Sequence, residues 1–366
     1  MRSLLVILLT SGALSAQEPM DPGQHVPAWV ERATSAITVH GRVFADIQRA
    51  NPNEGDLRQL RLRIVGDLSR TWRFRTQFEL TDIDAPFLEF LLECEVAEDL
   101  FARAGQFREP FGLEANTGLG ALPFLERSAP TDAFSPGRNR GAALRWMGDL
   151  NVSVGGFQGA DEAFGPCSSD HSLAARAWTT WQPSLRERIH LGLSVSSRDA
   201  GTGALRFRAR PGSKLLPHGI DTGDLPGAEA TTYAAEAAWQ SGPRTLQAEW
   251  LGAEIELAGG PRASLSGVVV SGAWFLTGET RSYSDRRGAW TNVVPKGAGP
   301  ALELVARASF TDLTDGPLSG GEQTDVDVGV NIHLSRYSRV MIHLVHSDAQ
   351  GLPDFDGLLL RFHAGF

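Results

Sequence analysis

The chain has 366 residues, with 40 glycines, nine tryptophans, 18 phenylalanines, two cysteines and a formal net charge of −9. So few cysteines exclude a disulfide scaffold, and the acidic balance argues against general nucleic-acid binding. No stretch reaches the ~20 consecutive apolar residues of a membrane helix; Val268 to Leu276 comes nearest and is interrupted by Ser271 and Gly272.

Arg2, the apolar run from Leu4 to Leu9 and the small residues from Ala13 to Ala16 read as an export signal cut after Ala16. Residues 17–37 contain three prolines and no heptads, which predicts a periplasmic lead-in rather than a coiled coil. From residue 38 to 366 apolar and polar residues alternate in segments of about ten, the weak period-two signal of a membrane β-barrel. Predicted strands run 38–48, 57–67, 71–80, 86–95, 99–108, 139–147, 150–158, 171–181, 188–197, 229–239, 244–256, 264–277, 300–311, 324–334, 338–348 and 358–366. That is an all-β, sixteen-stranded antiparallel transmembrane barrel, with the even strand number expected of a bacterial single-chain barrel. The strand at 324–334 shows the pattern best: Val326, Val328, Val330 and Ile332 share one face, and Asp325, Asp327, Asn331 and His333 the other.

Connections alternate too. With the N-terminus periplasmic, long segments at 109–138, 159–170 and 198–228 face outward, and tight turns such as 66–70, 148–149 and 240–243 face the periplasm. The segment 278–299 breaks the rule, being long on the periplasmic side. Cys94 lies in a strand-like run and Cys167 in a polar loop, so no obligatory disulfide is expected between them. The last strand ends on Phe366, an aromatic terminus of the kind read by the barrel assembly machinery.

If apolar residues face outer-membrane lipid, the opposite parity lines the lumen. Arg61 and Arg63 then point inward from one strand, Arg73 and Arg75 from the next, and Arg307 and Arg361 from later ones, with Arg176 another candidate. Guanidinium groups in a pore favour anions. The competing expectation is a solvated wall in which these arginines pair with Glu79, Glu89 and Glu93. The segment 109–138 opens with Glu109-Pro110-Phe111-Gly112, where proline ends the ladder. Its apolar residues, Phe111, Leu113, Leu122, Phe124 and Leu125, predict packing into the barrel mouth as a constriction loop. An outer flap is the alternative. His343 and Ser347 share an inward face, which raises an outer-membrane lipid hydrolase as a competing function. His190, His333 and His363 have no metal-like spacing and read as polar lumen lining; no metal site and no cofactor are expected.

The run from Gly105 to Glu114 (GQFREPFGLE) resembles the characteristic segment of the phosphate-selective porin O and P family. So do Phe124-Leu125-Glu126-Arg127-Ser128 with Ala133-Phe134-Ser135-Pro136-Gly137-Arg138-Asn139, then Ala273 to Glu279 (AWFLTGE), and Gly320-Gly321-Glu322-Gln323. The order and spacing hold over roughly residues 38–366. The resemblance implies an outer-membrane anion porin, commonly a homotrimer, whose third outer loop forms the constriction. It places Arg58, Gln59 and Arg61 at a run of consecutive arginines, and Glu109, Phe111, Glu126, Arg127, Ser128 and Arg138 in the constriction loop. Arg127 and Arg138 could serve the pore or pair with Glu109, Glu114 or Glu126. Gln59 departs from the arginine run, and Thr117-Gly118-Leu119-Gly120 replaces a lysine-containing Thr-Ser-Ser-Lys run, which weakens the expectation of phosphate selectivity. A channel for small, phosphate-like anions is therefore the leading expectation, with a general diffusion channel or a plugged structural barrel as alternatives.

Overall fold

A computed structural model describes residues 37–49, 54–81, 87–160, 168–297 and 299–366. Sixteen antiparallel strands close into one barrel: β1 (Ile37–Arg49), β2 (Glu54–Asp67), β3 (Trp72–Glu79), β4 (Phe87–Ala97), β5 (Leu100–Arg108), β6 (Arg138–Trp146), β7 (Asn151–Ala160), β8 (Ser168–Ser184), β9 (Glu187–Asp199), β10 (Glu229–Ser241), β11 (Arg244–Glu256), β12 (Arg262–Phe275), β13 (Ala301–Asp315), β14 (Leu318–His333), β15 (Arg339–Ala349) and β16 (Phe355–Gly365). Every expected strand is present. The seam closes by β1 pairing with β16, from Arg42 opposite Gly365 to Arg49 opposite Leu358. Gly41 and Phe366 exchange backbone hydrogen bonds of 3.2 and 3.1 Å beyond that register. The export signal and residues 17–36 of the lead-in lie outside the described residues, as does Cys167, while Ile37, expected to end the lead-in, opens β1.

The solvent logic of a water-soluble protein is inverted. Leu144, Val154, Leu193 and Trp181 are exposed on the outer wall, while Glu236, Glu249, Glu303, Arg176 and Asp327 are buried inside. Buried polar groups and a continuous exposed apolar surface are the informative departures from ordinary burial, and lipid outside with a polar lumen inside accounts for both.

Two departures from the expected pattern matter. The β13–β14 hairpin continues past the predicted strand ends to pair Asp315 with Leu318. Leu313 and Leu318 there are buried in a core cluster with Phe111 and Phe134, so apolar side chains point inward and hide the alternation. In the β1–β2 pair, Phe44 faces Gln59 but Asp46 faces Asp56, three residues of β2 against two of β1. Such a bulge reverses the facing of one side chain.

Long connections at one end, the loop end, fold back into the lumen. In 109–137, α1 (Leu113–Asn116) and α2 (Ala129–Phe134) are single short turns. The 200–228 connection forms a narrow ribbon, pairing Ala204–Leu205 with Leu225–Pro226 and Arg208–Ala209 with Ile220–Asp221. It presents Leu205, Phe207, Ile220 and Leu225 to the cluster holding Phe111 and Phe134. From the opposite, turn end, residues 276–297 also enter, pairing Tyr283–Ser284 with Ala289–Trp290.

Candidate functional site

The loop 109–137 is pinned at successive points. The Glu109 carboxylate is fully buried and pairs with Arg198 at 3.0 Å. It also accepts from Asn139 at 2.8 Å and Ser172 at 3.0 Å. Phe111 then enters the cluster with Phe134 and Phe207. Across the lumen, Glu249 accepts from the backbone N–H groups of Leu113 (2.9 Å) and Glu114 (2.7 Å), satisfying donors that α1 leaves open. Glu114 in turn accepts from the Ser128 hydroxyl at 2.6 Å. Glu126 pairs with both Arg58 and Arg361 at 2.7 Å, and Arg361 clasps Asp46 through two further bonds of 2.6 and 2.5 Å. Burial would raise the Glu126 carboxyl, but the Arg58 and Arg361 guanidiniums outweigh it and hold the group well below the usual carboxylate range.

The segment from the turn end meets this loop. Leu113 and Trp290 share a buried cluster with Ala238, and Arg281 donates to the Ala121 carbonyl at 3.1 Å. Arg281 also pairs with Glu303. Loop and turn together occupy much of the lumen, bonded to side chains of β8, β9, β11, β13 and β16, with the tip of the turn reaching Glu93 on β4 and Arg145 on β6. The open space is left eccentric, against β1 to β6.

That passage encloses a cavity of about 900 Å³. One wall is β1 to β6; the other is the polar face of the loop, including Asn116, Thr117, Thr131 and Ser135. Fourteen of the lining residues are Arg or Lys and five are Asp or Glu. A chain with a net charge of −9 therefore surrounds a strongly cationic conduit, and it is the local field rather than the net charge that acts on a passing ion. Strand direction orders the cations from the loop end (Lys214, Arg58) through Arg61 and Arg63 to Arg75 and Arg73 at the turn end.

The carboxylates divide these cations into two groups. Arg61 pairs with Glu79 at 2.8 Å and Arg73 with Asp67 at 2.6 Å. Arg75 (2.6 Å) and Arg138 (2.9 Å) share Glu89, while Arg103, Arg145 and Arg286 share Glu93. Arg42, Arg63, Arg127, Lys214 and Arg287 line the same passage with no carboxylate partner among the described residues. The carboxylate pairing expected of a solvated wall thus forms at some of these arginines and not at others.

Of the expected lining residues, Arg58, Arg61, Arg63, Arg73 and Arg75 come together in the passage. Arg58 arrives by the bulge, since the plain alternation that faces Arg61 inward would face it to lipid. Arg307 and Arg361 point inward, as their parity requires, but the loop covers both. Arg307 is bonded to Glu114 (3.2 Å) and the Glu126 carbonyl (2.9 Å), so these two arginines anchor the loop rather than line the passage. Arg127 pairs with no carboxylate among the described residues. It donates to the carbonyls of Ala115 (3.3 Å) and Thr117 (3.0 Å). Arg138 pairs with Glu89 on β4, not with Glu109, Glu114 or Glu126. Arg176 is buried against Glu236 at 2.7 Å.

His343 and Ser347 form no serine–histidine pair. His343 bonds Asp327 (2.6 Å) and Asn331 (3.1 Å), while the Ser347 hydroxyl donates to Asp325 (2.5 Å). Sequence reasoning missed Arg42, Arg103, Arg145, Lys214, Arg286 and Arg287. For β1 and β5 the inward faces also carry Phe44, Phe101 and Phe107, stacked under Arg42, Arg145 and Arg103 as cation–π pairs. Aromatic residues on the lumen side blunt a parity rule built on apolar-out. Lys214, Arg286 and Arg287 lie in connections, where periodicity carries no signal.

The profile of the phosphate-selective porin O and P family matches residues 37–351. An uncharacterized protein of Caulobacter vibrioides is 30% identical, over 77% of this chain and 62% of that protein. The chain thus spans about 62% of the length of that relative. Among solved structures, OmpT of Vibrio cholerae, an outer membrane protein, superposes with a TM-score of 0.60 at 9% identity, covering 90% of this chain and 97% of that one. Salmonella typhi OmpF, in complex with daunomycin, gives 0.58 at 10% identity with the same coverage. At such identities these two likenesses show the fold.

Proposed function

The chain belongs to the phosphate-selective porin O and P family, and from this premise we propose that it is an outer-membrane channel giving passive diffusion to small anions, phosphate and related oxyanions among them. The excess of fourteen cationic over five acidic residues along the passage carries the reading. Rings of Arg and Lys favour anions in pores, and a planar guanidinium matches the paired oxygens of phosphate or carboxylate. The channel works by positioning charge, so no cofactor or catalytic group enters.

A general, non-phosphate-selective channel is the second reading. Glu79, Glu89 and Glu93 neutralise much of the wall, and the loop has Thr117-Gly118-Leu119-Gly120 where the family run carries lysine. Reversal potentials of the purified protein in planar bilayers, under a KCl gradient, separate these outcomes. Anion preference with block by millimolar phosphate supports the first reading, and anion preference without block the second. Cation preference defeats both, and a folded protein giving no conductance steps would be a plugged barrel.

The same reading includes export by residues 1–16, delivery to the assembly machinery through Phe366, residence in the outer membrane of a Gram-negative-type bacterium, and a homotrimer. The trimer draws support from the trimer form described for Vibrio cholerae OmpT. Crosslinking in outer-membrane fractions tests it. Lipid hydrolysis is not favoured, because His343 and Ser347 are committed to separate acids beneath the loop.

A further inference from the structure

We propose that Arg140, on the outer face of β6, binds the phosphate headgroup of an outer-leaflet lipid. The role is separate from the anion passage and rests on the channel reading of the chain only in setting the loop end outward.

Alternation along β6 sends Asn139 and Arg145 into the lumen, where Asn139 donates to Glu109 at 2.8 Å and Arg145 pairs with Glu93. Arg140 has the opposite parity and shares its face with the exposed Leu144 and Trp146. It is exposed as well, and it does not line the cationic passage. Arg138, at the first residue of the strand, swings inward to Glu89 instead.

No hydrogen bond or ion pair holds the Arg140 guanidinium among the described residues. Its neighbours in register are uncharged: Gln158 on β7, which is exposed, and Gln106 on β5, whose amide donates to the Leu88 carbonyl at 3.3 Å. By contrast His346, another outward group, has Asp356 at 3.0 Å across the strands. An unanswered charge on a lipid-facing wall is costly and marks a functional site. A phosphate answers it well, since a planar guanidinium forks onto two of its oxygens, and the Gln158 amide can add a donor.

Height selects a lipid over a second copy of the chain. Arg140 is six residues from Trp146, the outward residue next to the turn, which sets its backbone about 15 Å above the turn end in a tilted strand. The apolar band of such barrels is about 25 Å tall, and long cationic side chains snorkel toward the nearer interface, here the loop side. Outward carboxylates such as Glu254 and Asp356 stand ten residues from Arg244 and Phe366 at the turn ends of their strands. At a shared depth another copy would carry them about 10 Å nearer the loops than the Arg140 backbone, whereas a bilayer thins locally around a cation and brings its headgroups down. On the far wall at the same height, Trp250 and Val268 stand exposed in register, so the break in the apolar band is local. On the turn side of Arg140, Ala104, Ala142 and Gly156 lie in one row across three strands and are too short to screen it.

Native mass spectrometry of the full chain in detergent, with lipid A as the phosphorylated probe, tests the site. Lipid A should bind the unaltered protein, and Arg140→Gln should weaken that binding about tenfold, the loss expected for one charge-assisted contact. Arg140→Lys should keep part of the affinity, and lipid A stripped of its phosphates should bind the unaltered protein no better than lipid A binds Arg140→Gln. Equal lipid A binding by the unaltered protein and Arg140→Gln overturns the site, as does equal binding of the two lipids by the unaltered protein. An oligomer lost in Arg140→Gln while lipid binding persists gives the residue to a second copy and overturns the site too. Anion preference in planar bilayers should be the same in Arg140→Gln; its loss would put the residue in the passage. The reversal potential of the unaltered protein reports on the channel reading separately, so either can fail without the other.

Discussion

Arg281 enters the lumen from the turn end and donates to the carbonyl of Ala121, which enters from the loop end, at 3.1 Å. Two connections from opposite ends of the barrel thus brace each other inside it.

Arg281→Ala should loosen that brace. The variant strands Glu303, which is fully buried and keeps, among the described residues, Asn331 (2.9 Å) and His333 (3.0 Å) as partners. Breaking a buried pair costs about 3–5 kcal/mol. Urea unfolding should register the loss, and single-channel recordings should show larger, noisier conductance steps. Steps of unaltered size would detach the brace from the pore.

Arg63 and Arg61 should not be equivalent. Arg61 is paired with Glu79, whereas Arg63 has no carboxylate partner among the described residues. Arg63→Ala should therefore lower anion preference more than Arg61→Ala, read as the shift in reversal potential under a KCl gradient. Equal shifts would mean that pairing does not screen Arg61 from the permeating ion.

Glu126 is the hinge of the loop anchor, holding Arg58 and Arg361 together. Glu126→Gln leaves two guanidiniums crowded without their shared anion and should destabilise the barrel by about 3–5 kcal/mol, measured by denaturant midpoint. Arg361 retains Asp46, so Asp46→Asn combined with Glu126→Gln should cost more than either change alone.

Lys214 gives the passage a pH dependence. The charge of Arg58, and then burial, lower its pKa. A base with a lowered pKa sheds its proton at lower pH, so its positive charge is lost before an ordinary lysine would titrate, near 10.4. Anion preference should accordingly decline on the alkaline side below that value. Lys214→Gln should start from a lower preference and remove that part of the decline; an identical pH profile would rule the residue out.

The barrel seam is tight at its end. An added Cβ on Gly41 would come within 2.1 Å of the Phe366 ring. Gly41→Val should displace that ring and reduce the folded, heat-shiftable fraction on gels. Phe366→Ala should reduce insertion in cells more than refolding in detergent if the assembly machinery reads this residue; equal losses would make it merely a packing group.

Sequence alone determined the sixteen strands, the face each turns to lipid, and the family motifs around Glu109 and Glu126. Lipid outside and water inside impose a period of two on every strand, and that period survives in one dimension. It failed where that contrast failed: at the inward Leu313 and Leu318, at the lumen aromatics Phe44 and Phe107, and at the bulge that turns Arg58 inward. Only the tertiary structure decided which arginines are free. Arg361 and Arg307 became anchors because Glu126 and Glu114 reach them from a loop more than 180 residues away in the chain, while Arg63 and Arg287 kept their charge open to the passage. Pairing is a matter of distances through space between segments remote in sequence, and no local pattern encodes it.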